Sequence, residues 1–160
     1  MRAAASIAPP ALVSLALVLL TPLAKAGEAE DAIFGVWGTQ GMNAKVNVAR
    51  CQDAGMAERV CGTITWLWEL MDRSGRPKTD SENPDERLRN RPLIGVQILS
   101  GFRRSASGEL GGKIYNPENE RTYDATMRLR GSDTLIVEGC VLFICEKQTW
   151  RRASSICERP

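Results

Sequence analysis

Alternation of apolar and polar residues with a period of two dominates the chain from Gly35 onward, and a sustained 3.6-residue period is hard to find. This pattern is typical of half-buried β-strands. The segments that carry it are 35–40, 45–51, 60–70, 95–102, 110–115, 122–129, 134–141 and 144–152. Most are joined by short, turn-like stretches. We therefore expect an all-β fold, a single antiparallel up-and-down β-barrel of about eight strands that leaves no exposed edge.

The first 26 residues have the pattern of a secretory signal peptide. Arg2 gives a positive start, residues 11–20 form an apolar run, and Ala24-Lys25-Ala26 offers a small-x-small cleavage site. A membrane-spanning helix needs roughly 20 apolar residues, more than this run supplies. Cleavage near Ala26 is therefore favoured over a membrane anchor, and we predict an exported protein, periplasmic or secreted.

Removal of this segment takes away Arg2 and Lys25 but no acidic residue, so the remaining chain carries equal numbers of basic and acidic residues. Non-specific nucleic-acid binding relies on an excess of Lys and Arg, so neither a nucleic-acid partner nor a membrane span is expected. The remaining chain divides into a short lead at 27–32, a barrel domain at 33–153 and a tail at 154–160.

The sequence contains no histidine. This excludes Ser-His-Asp and Cys-His catalysis and His-ligated zinc. No nucleophile has an adjacent base in the sequence. We predict a protein that is not an enzyme and that holds no cofactor or metal, with a carboxylate-dependent enzyme based on Glu146 as a weaker alternative.

The cysteines are Cys51, Cys61, Cys140, Cys145 and Cys157. Export makes disulfides the default. A two-residue turn at Leu142-Phe143 would place Cys140 directly opposite Cys145, and Cys51 and Cys61 likewise flank a turn-rich stretch. We predict these two bridges, with Cys157 left over. A metal or redox site is less favoured because there is no CxxC motif.

Alternation also assigns side chains to the barrel interior. In 60–70 the inward set is Val60, Gly62, Ile64, Trp66, Trp68 and Leu70, and in 134–141 it is Leu135, Val137 and Gly139. If Cys145 faces its partner, the inward set of the last strand is Ile144, Glu146, Gln148, Trp150 and Arg152. Polar groups there indicate either a wet or ligand-filled interior or a bulge that exposes them, and both interpretations stay open.

The polar connection from Met71 to Pro92 is too long for an ordinary turn, which indicates a functional or a disordered loop. Its residues of interest are Asp80, Asn83, Asp85 and Arg91. As a lid they would grip a polar ligand group. Turn and capping chemistry is the favoured interpretation, because Asn and Asp beside proline nucleate turns and Arg can pair with a carboxylate.

Gly35-Val36-Trp37 together with Arg152 resembles the lipocalin signature, a G-x-W strand whose indole is covered by a basic side chain at the closed end of the barrel. A longer succession of motifs resembles the bacterial family called domain of unknown function 2147: Cys61-Gly62-Thr63-Ile64, Asn83-Pro84-Asp85, 88–95, 112–118, Thr122-Tyr123, Glu138-Gly139-Cys140 and 149–152. The resemblance implies an exported barrel similar to lipocalins and fatty-acid-binding proteins, with structural roles for Gly35, Trp37, Trp150 and Arg152. Glu120 stands where the family commonly has glycine, so a wider turn is expected there.

Because two tryptophans and the polar groups of the last strand are assigned to the interior, we expect the barrel to bind a small, largely apolar ligand. The predicted wall is Trp66, Trp68, Tyr123, Met127, Leu135 and Val137, and the predicted polar contacts are Glu146, Gln148 or Arg152. The alternative is an envelope protein-interaction module that uses the 71–92 loop.

Overall fold

Eight antiparallel strands run in chain order around a closed barrel. The structure is a computed structural model that describes residues 32–106 and 108–156. The strands are β1 (Gly35–Gly38), β2 (Ala44–Arg50), β3 (Val60–Leu67), β4 (Gln97–Arg104), β5 (Leu110–Asn116), β6 (Arg121–Leu129), β7 (Thr134–Val141) and β8 (Ile144–Arg152). The predicted up-and-down barrel is confirmed. The predicted signal peptide, most of the lead and Cys157 lie outside the described residues.

Short helical segments complete the fold. A four-residue helix, α1 (Ala153–Ile156), follows β8, and 3₁₀ turns occupy Gln40–Met42 and Glu86–Leu88. No helix in the described part of the chain is long and apolar enough to span a membrane.

The up-and-down order gives the barrel two different ends. The β1–β2, β3–β4, β5–β6 and β7–β8 connections share one end, which we call the open end. The other connections and both described chain ends, Ala32 and Ile156, lie at the closed end.

The half of the barrel nearer the closed end is a solid apolar core. On β2 the inward Val46 and Val48 are fully buried while Asn47 between them is exposed, as the period of two requires. The largest buried side chains are Trp37, Trp150, Phe102, Leu99, Met127 and Leu135.

Arg152 fastens the closed end. Its guanidinium lies 4.1 Å from the centroid of the Trp37 ring. It also donates to the backbone oxygens of Ala32 at 2.7 Å, Phe34 at 3.0 Å and Ser132 at 2.8 Å. Gly35 has φ +124°, and a Cβ there would lie 3.1 Å from Arg152 Nη1. The predicted cover of the Trp37 indole is present, and a side chain at Gly35 would obstruct it.

Pairing between β8 and β1 is short. It comprises only Trp37↔Arg152 and Gly38↔Arg151, and the next contact is a hydrogen bond from Thr149 N to Gln40 Oε1 at 3.0 Å. Residues 144–148 of β8 pair with β7 but with no other described strand. The barrel therefore has a lateral gap beside β8 at its open end.

The last strand carries no bulge. Its register with β7 runs without a shift from Thr134↔Arg151 to Val141↔Ile144. The interpretation that a bulge exposes the polar groups of β8 is wrong, because the gap beside the strand exposes them instead.

A bulge lies in β3. Val46 pairs with Ile64, whereas Lys45 pairs with Trp66, so Thr65 is an extra residue. The bulge reverses the alternation: Trp66 turns to the outer face, where Lys45 Nζ lies 5.1 Å from its ring, and Leu67 turns inward. The prediction that Trp66 faces the interior is wrong for this reason.

Both predicted disulfides are present, Cys51–Cys61 and Cys140–Cys145. The second joins the β7–β8 hairpin one residue before the last pair of the ladder, Val141↔Ile144, and Leu142 and Phe143 form the turn.

Candidate functional site

The half of the barrel nearer the open end contains a cavity of about 960 Å³. Its apolar wall consists of Ile64, Leu67, Leu93, Ile98, Ile114, Val137 and Trp150. Polar side chains at the mouth and along the lateral gap are Gln40, Asn43, Glu69, Lys78, Glu118, Asn119, Glu146 and Gln148. An apolar wall with polar groups at the rim is the usual composition of a small-molecule pocket.

Five of the eight predicted ligand-binding residues line this cavity: Trp68, Tyr123, Val137, Glu146 and Gln148. The Tyr123 hydroxyl accepts a hydrogen bond from Asn119 Nδ2 at 2.8 Å. Gln148 Oε1 accepts from Trp150 Nε1 at 2.9 Å. Trp68 is 72% exposed and stands at the rim.

The other three residues lie elsewhere. Trp66 is on the outer face, where its ring meets Trp68 edge to face at 6.0 Å. Met127 and Leu135 are buried in the solid core and do not line the cavity. Alternation assigns a residue to a face of the sheet but carries no information on its position along the barrel axis. These two residues do face the interior, but they lie in the core at the closed end and not in the cavity.

Glu146 is exposed, although alternation assigned it to the inward set of the last strand. It lines the edge of the cavity where β8 has no β1 neighbour. Solvent reaches the carboxylate through the lateral gap.

The apolar wall contains residues that sequence reasoning missed. Leu67 was concealed by the β3 bulge, and Leu93 lies outside the predicted strands. Ile114 could have been found, because it lies two residues after Gly112 on β5 and the period of two places both on the same face of the sheet.

The long β3–β4 connection forms part of the cavity wall through Lys78 and Leu93. Its two arms are held together by backbone hydrogen bonds, Leu93 N to Lys78 O at 3.0 Å and Asp80 N to Arg91 O at 3.0 Å. The loop is therefore an ordered element of the barrel.

Asp80 is the centre of a buried polar cluster that ties this loop to β5. Its side chain is 0% exposed. The Tyr115 hydroxyl donates to Oδ1 at 2.7 Å, while Asn83 Nδ2 at 2.7 Å and Arg91 Nε and Nη2 at 2.9 and 2.7 Å donate to Oδ2. We call these four residues the Asp80 cluster.

The cluster shifts the pKa of its members. Burial raises the pKa of Asp80, but hydrogen bonds from Tyr115, Arg91 and Asn83 outweigh it, and the net pKa lies below the ordinary value. Burial and the neighbouring Asp80 raise the pKa of Tyr115 to about 12. Asp80 is therefore held as a carboxylate and Tyr115 as a neutral donor.

The remaining loop residues make local contacts. Asn83 Oδ1 accepts from Asp85 N at 2.9 Å, an Asx turn around Pro84, and Asp85 caps the 3₁₀ turn by accepting from Arg87 N at 3.1 Å. These contacts match the turn and capping chemistry predicted for the segment. A protein partner for the 71–92 loop stays a prediction.

Glu120 lies in the β5–β6 turn, which joins the paired residues Asn116 and Arg121. Glu120 adopts φ +61°, the left-handed conformation that favours glycine, and its N–H donates to Asn116 O at 2.8 Å. Glutamate therefore occupies a backbone conformation that favours glycine, and a wider turn than that of the family stays a prediction.

Within the described ranges, the ligand atoms of Glu138, Cys140 and Cys145 lie within 4.8 Å of one another. The two sulfurs are joined in a disulfide and offer no thiolate to a metal ion.

Residues 35–152 match a family described as an uncharacterized protein conserved in bacteria, DUF2147. The chain belongs to this family. The match to DUF2147 thus covers every strand of the barrel. No curated protein matches the sequence.

A solved structure shows the same fold, that of protein HP1028 from the human pathogen Helicobacter pylori, described as belonging to the lipocalin family. The two chains are 22% identical, the TM-score is 0.60, and the match covers 78% of this chain and 86% of the other. The fold of this DUF2147 member is therefore lipocalin-like.

Proposed function

We propose that this barrel binds a small, elongated and largely apolar molecule in the cavity at its open end. The observation that supports the proposal best is the cavity itself, about 960 Å³ with a mainly aliphatic wall. Known ligand pockets span roughly 300–1,000 Å³, so the space suits a molecule with a medium-length hydrocarbon chain. The lipocalin-like fold supports small-ligand binding in general.

The rim supplies groups for a polar end of the ligand. Lys78 Nζ and Glu69 Oε2 form an ion pair at 2.9 Å on one side of the mouth. Gln148 and Glu146 stand at the lateral gap. A ligand would place its apolar part against Ile114 and Val137 and its polar end among these groups.

We propose further that the protein works in the periplasm and that it is a binding protein rather than an enzyme. The two disulfides indicate an oxidising compartment. The absence of histidine from the sequence and the solvent exposure of Glu146 support a non-catalytic role.

Filling the cavity tests this proposal. Ile114 is half-buried and lines the cavity, so Ile114→Trp should occupy ligand space, whereas Ile94→Trp makes the same change at an exposed residue outside it. We expect dansyl-labelled undecanoic acid to bind the wild type, and Ile114→Trp to weaken binding about tenfold or more, a loss of about 1.4 kcal/mol. Binding should be unchanged in Ile94→Trp.

Fluorescence titration measures these affinities, and circular dichroism checks that each variant folds. Native mass spectrometry after incubation with a lipid extract of the host should show bound small molecules on the wild type and fewer on Ile114→Trp. Equal binding by both tryptophan variants, or no binding by the wild type from the extract, contradicts the proposal.

A further inference from the structure

The β7–β8 hairpin ends in four exposed apolar side chains. Val141 is 50% exposed, Leu142 89%, Phe143 88% and Ile144 72%. We call residues 141–144 the apolar tip. Single exposed apolar residues are common on protein surfaces, but a contiguous group at the end of a projecting hairpin indicates an interaction site.

The turn chemistry does not explain this composition. Leu142 has φ +54°, a conformation that glycine, asparagine or aspartate adopts at much lower cost than a branched side chain. Solubility also favours polar residues at this position. Both considerations disfavour leucine here, so neither turn geometry nor solubility accounts for its presence.

The tip is cross-linked at its base and adjoins the cavity. The Cys140–Cys145 disulfide lies directly beneath it, and Val141 pairs with Ile144. Val141 and Ile144 also line the cavity together with Val137, so one apolar surface continues from the tip to the cavity wall.

The dimensions of the tip favour a lipid surface over a protein partner. At these exposures the four side chains present on the order of 500 Å², less than the roughly 800 Å² that each partner contributes to a typical stable protein interface. Charged residues resume on β8 at Glu146, two residues beyond Ile144. This spacing is roughly 7 Å of extended strand, within the ~5–10 Å depth of interfacial apolar side chains in a bilayer.

We propose that the apolar tip inserts into a lipid bilayer and holds the open end of the barrel against the membrane. Leu142 and Phe143 enter the acyl region, while Glu146 and Lys147 stay at the level of the headgroups. Attachment by so few side chains is weak and reversible, comparable to that of a single acyl anchor. This property goes beyond ligand binding, and it places the cavity mouth where apolar molecules partition.

Co-sedimentation with vesicles of phosphatidylethanolamine and phosphatidylglycerol tests the proposal. The protein is purified from its own host, and mass spectrometry establishes that the wild type and all variants share one N-terminus. The test variant is Leu142→Gly with Phe143→Ser, which suits the positive φ at the first turn position and preserves the fold. Partition into vesicles should fall at least tenfold, whereas Phe143→Trp and Ile94→Ser, a change at an exposed apolar residue of the β3–β4 connection, should bind as the wild type does.

Brominated lipids should quench the tryptophan of Phe143→Trp beyond the quenching of the wild type. The proposal is overturned if the wild type does not sediment with vesicles, if the double variant sediments equally, or if Ile94→Ser loses binding to the same extent. It is also overturned if sedimentation equilibrium shows a dimer that the double variant dissociates, because the occupant is then a second copy.

The two proposals fail separately. The double variant should keep its affinity for dansyl-labelled undecanoic acid in buffer without vesicles, and Ile114→Trp should keep its vesicle binding. Loss of fatty-acid binding in the wild type would remove the ligand proposal and leave the membrane contact standing.

Discussion

At the scale of single residues, Glu120 carries two unfavourable features. Its backbone has a positive φ, and its Oε1 is shielded from solvent without a hydrogen-bond partner among the described residues. Burial raises the pKa of Glu120, and the negative charges of Glu82 and Asp80 raise it further. The charged form therefore destabilises the fold at neutral pH.

Two substitutions separate these effects. A group whose folded pKa is raised contributes stability below its unfolded pKa, and this contribution is lost as the pH rises through the folded value. Glu120→Gln should therefore raise the melting temperature at pH 7 and leave it nearly unchanged at pH 4. Glu120→Gly also removes the left-handed strain and should raise the melting temperature at both pH values, by about 4 °C. Calorimetry at the two pH values measures this. A benefit from Gln that persists at pH 4 would refute the electrostatic explanation.

At the scale of elements, the long β3–β4 connection depends on the Asp80 cluster. Asp80→Asn keeps the shape of the side chain but leaves Arg91 without its counter-charge. Breaking a buried ion pair is costly, and because Arg91 is itself partly exposed, we expect a loss of about 2–3 kcal/mol, concentrated in the loop. Trypsin should then cut faster after the exposed Arg73, and hydrogen exchange should accelerate between residues 70 and 92.

Asp85→Asn is the matched control, because Asp85 pairs with the exposed Arg87 in the same loop. It should change cleavage little, since exposed ion pairs contribute little stability. The wild-type loop should also open at low pH. The folded pKa of Asp80 is lowered, so its contribution is fully present above the unfolded value near 3.9 and is lost as the pH falls through the folded value. Equal cleavage of the two variants would contradict a central role for Asp80.

Also at this scale, the strands were predictable because one face of each is buried, which imposes a period of two on the sequence. The β7–β8 hairpin was predictable because the Cys140–Cys145 spacing allows one short turn. The bulge at Thr65 was not, since its side chain is compatible with regular strand and the extra residue is visible only in the register with β2. The exchange of Trp66 for Leu67 in the cavity wall follows from that one backbone feature.

At the scale of the whole molecule, the barrel combines a solid half and an open half. Trp37, Arg152 and the large apolar residues fill and fasten the closed end. At the open end, β1 stops at Gly38, so residues 144–148 of β8 have no neighbouring strand on the β1 side. The sequence indicated strand up to Gln40, whereas the chain leaves the β1–β8 ladder after Gly38, and residues 144–148 lie beyond the reach of β1. Cavity access thus depends on the length of the shortest strand, which alternation does not determine.

The gap predicts an alternating pattern of amide protection along β8. Arg152 N donates to Asp133 O on the β7 side, whereas Thr149 N donates to Gln40 on the β1 side. In an antiparallel ladder successive residues point their N–H groups to opposite sides, so Glu146 and Gln148 donate to β7 while Cys145 and Lys147 face the gap. Hydrogen exchange followed by NMR should show slow exchange for the first pair and fast exchange for the second, with Val46 and Val48 in the closed core slower still. Uniform slow exchange from Cys145 to Gln148 would mean that another segment covers this edge, and the cavity would then open only at the end of the barrel.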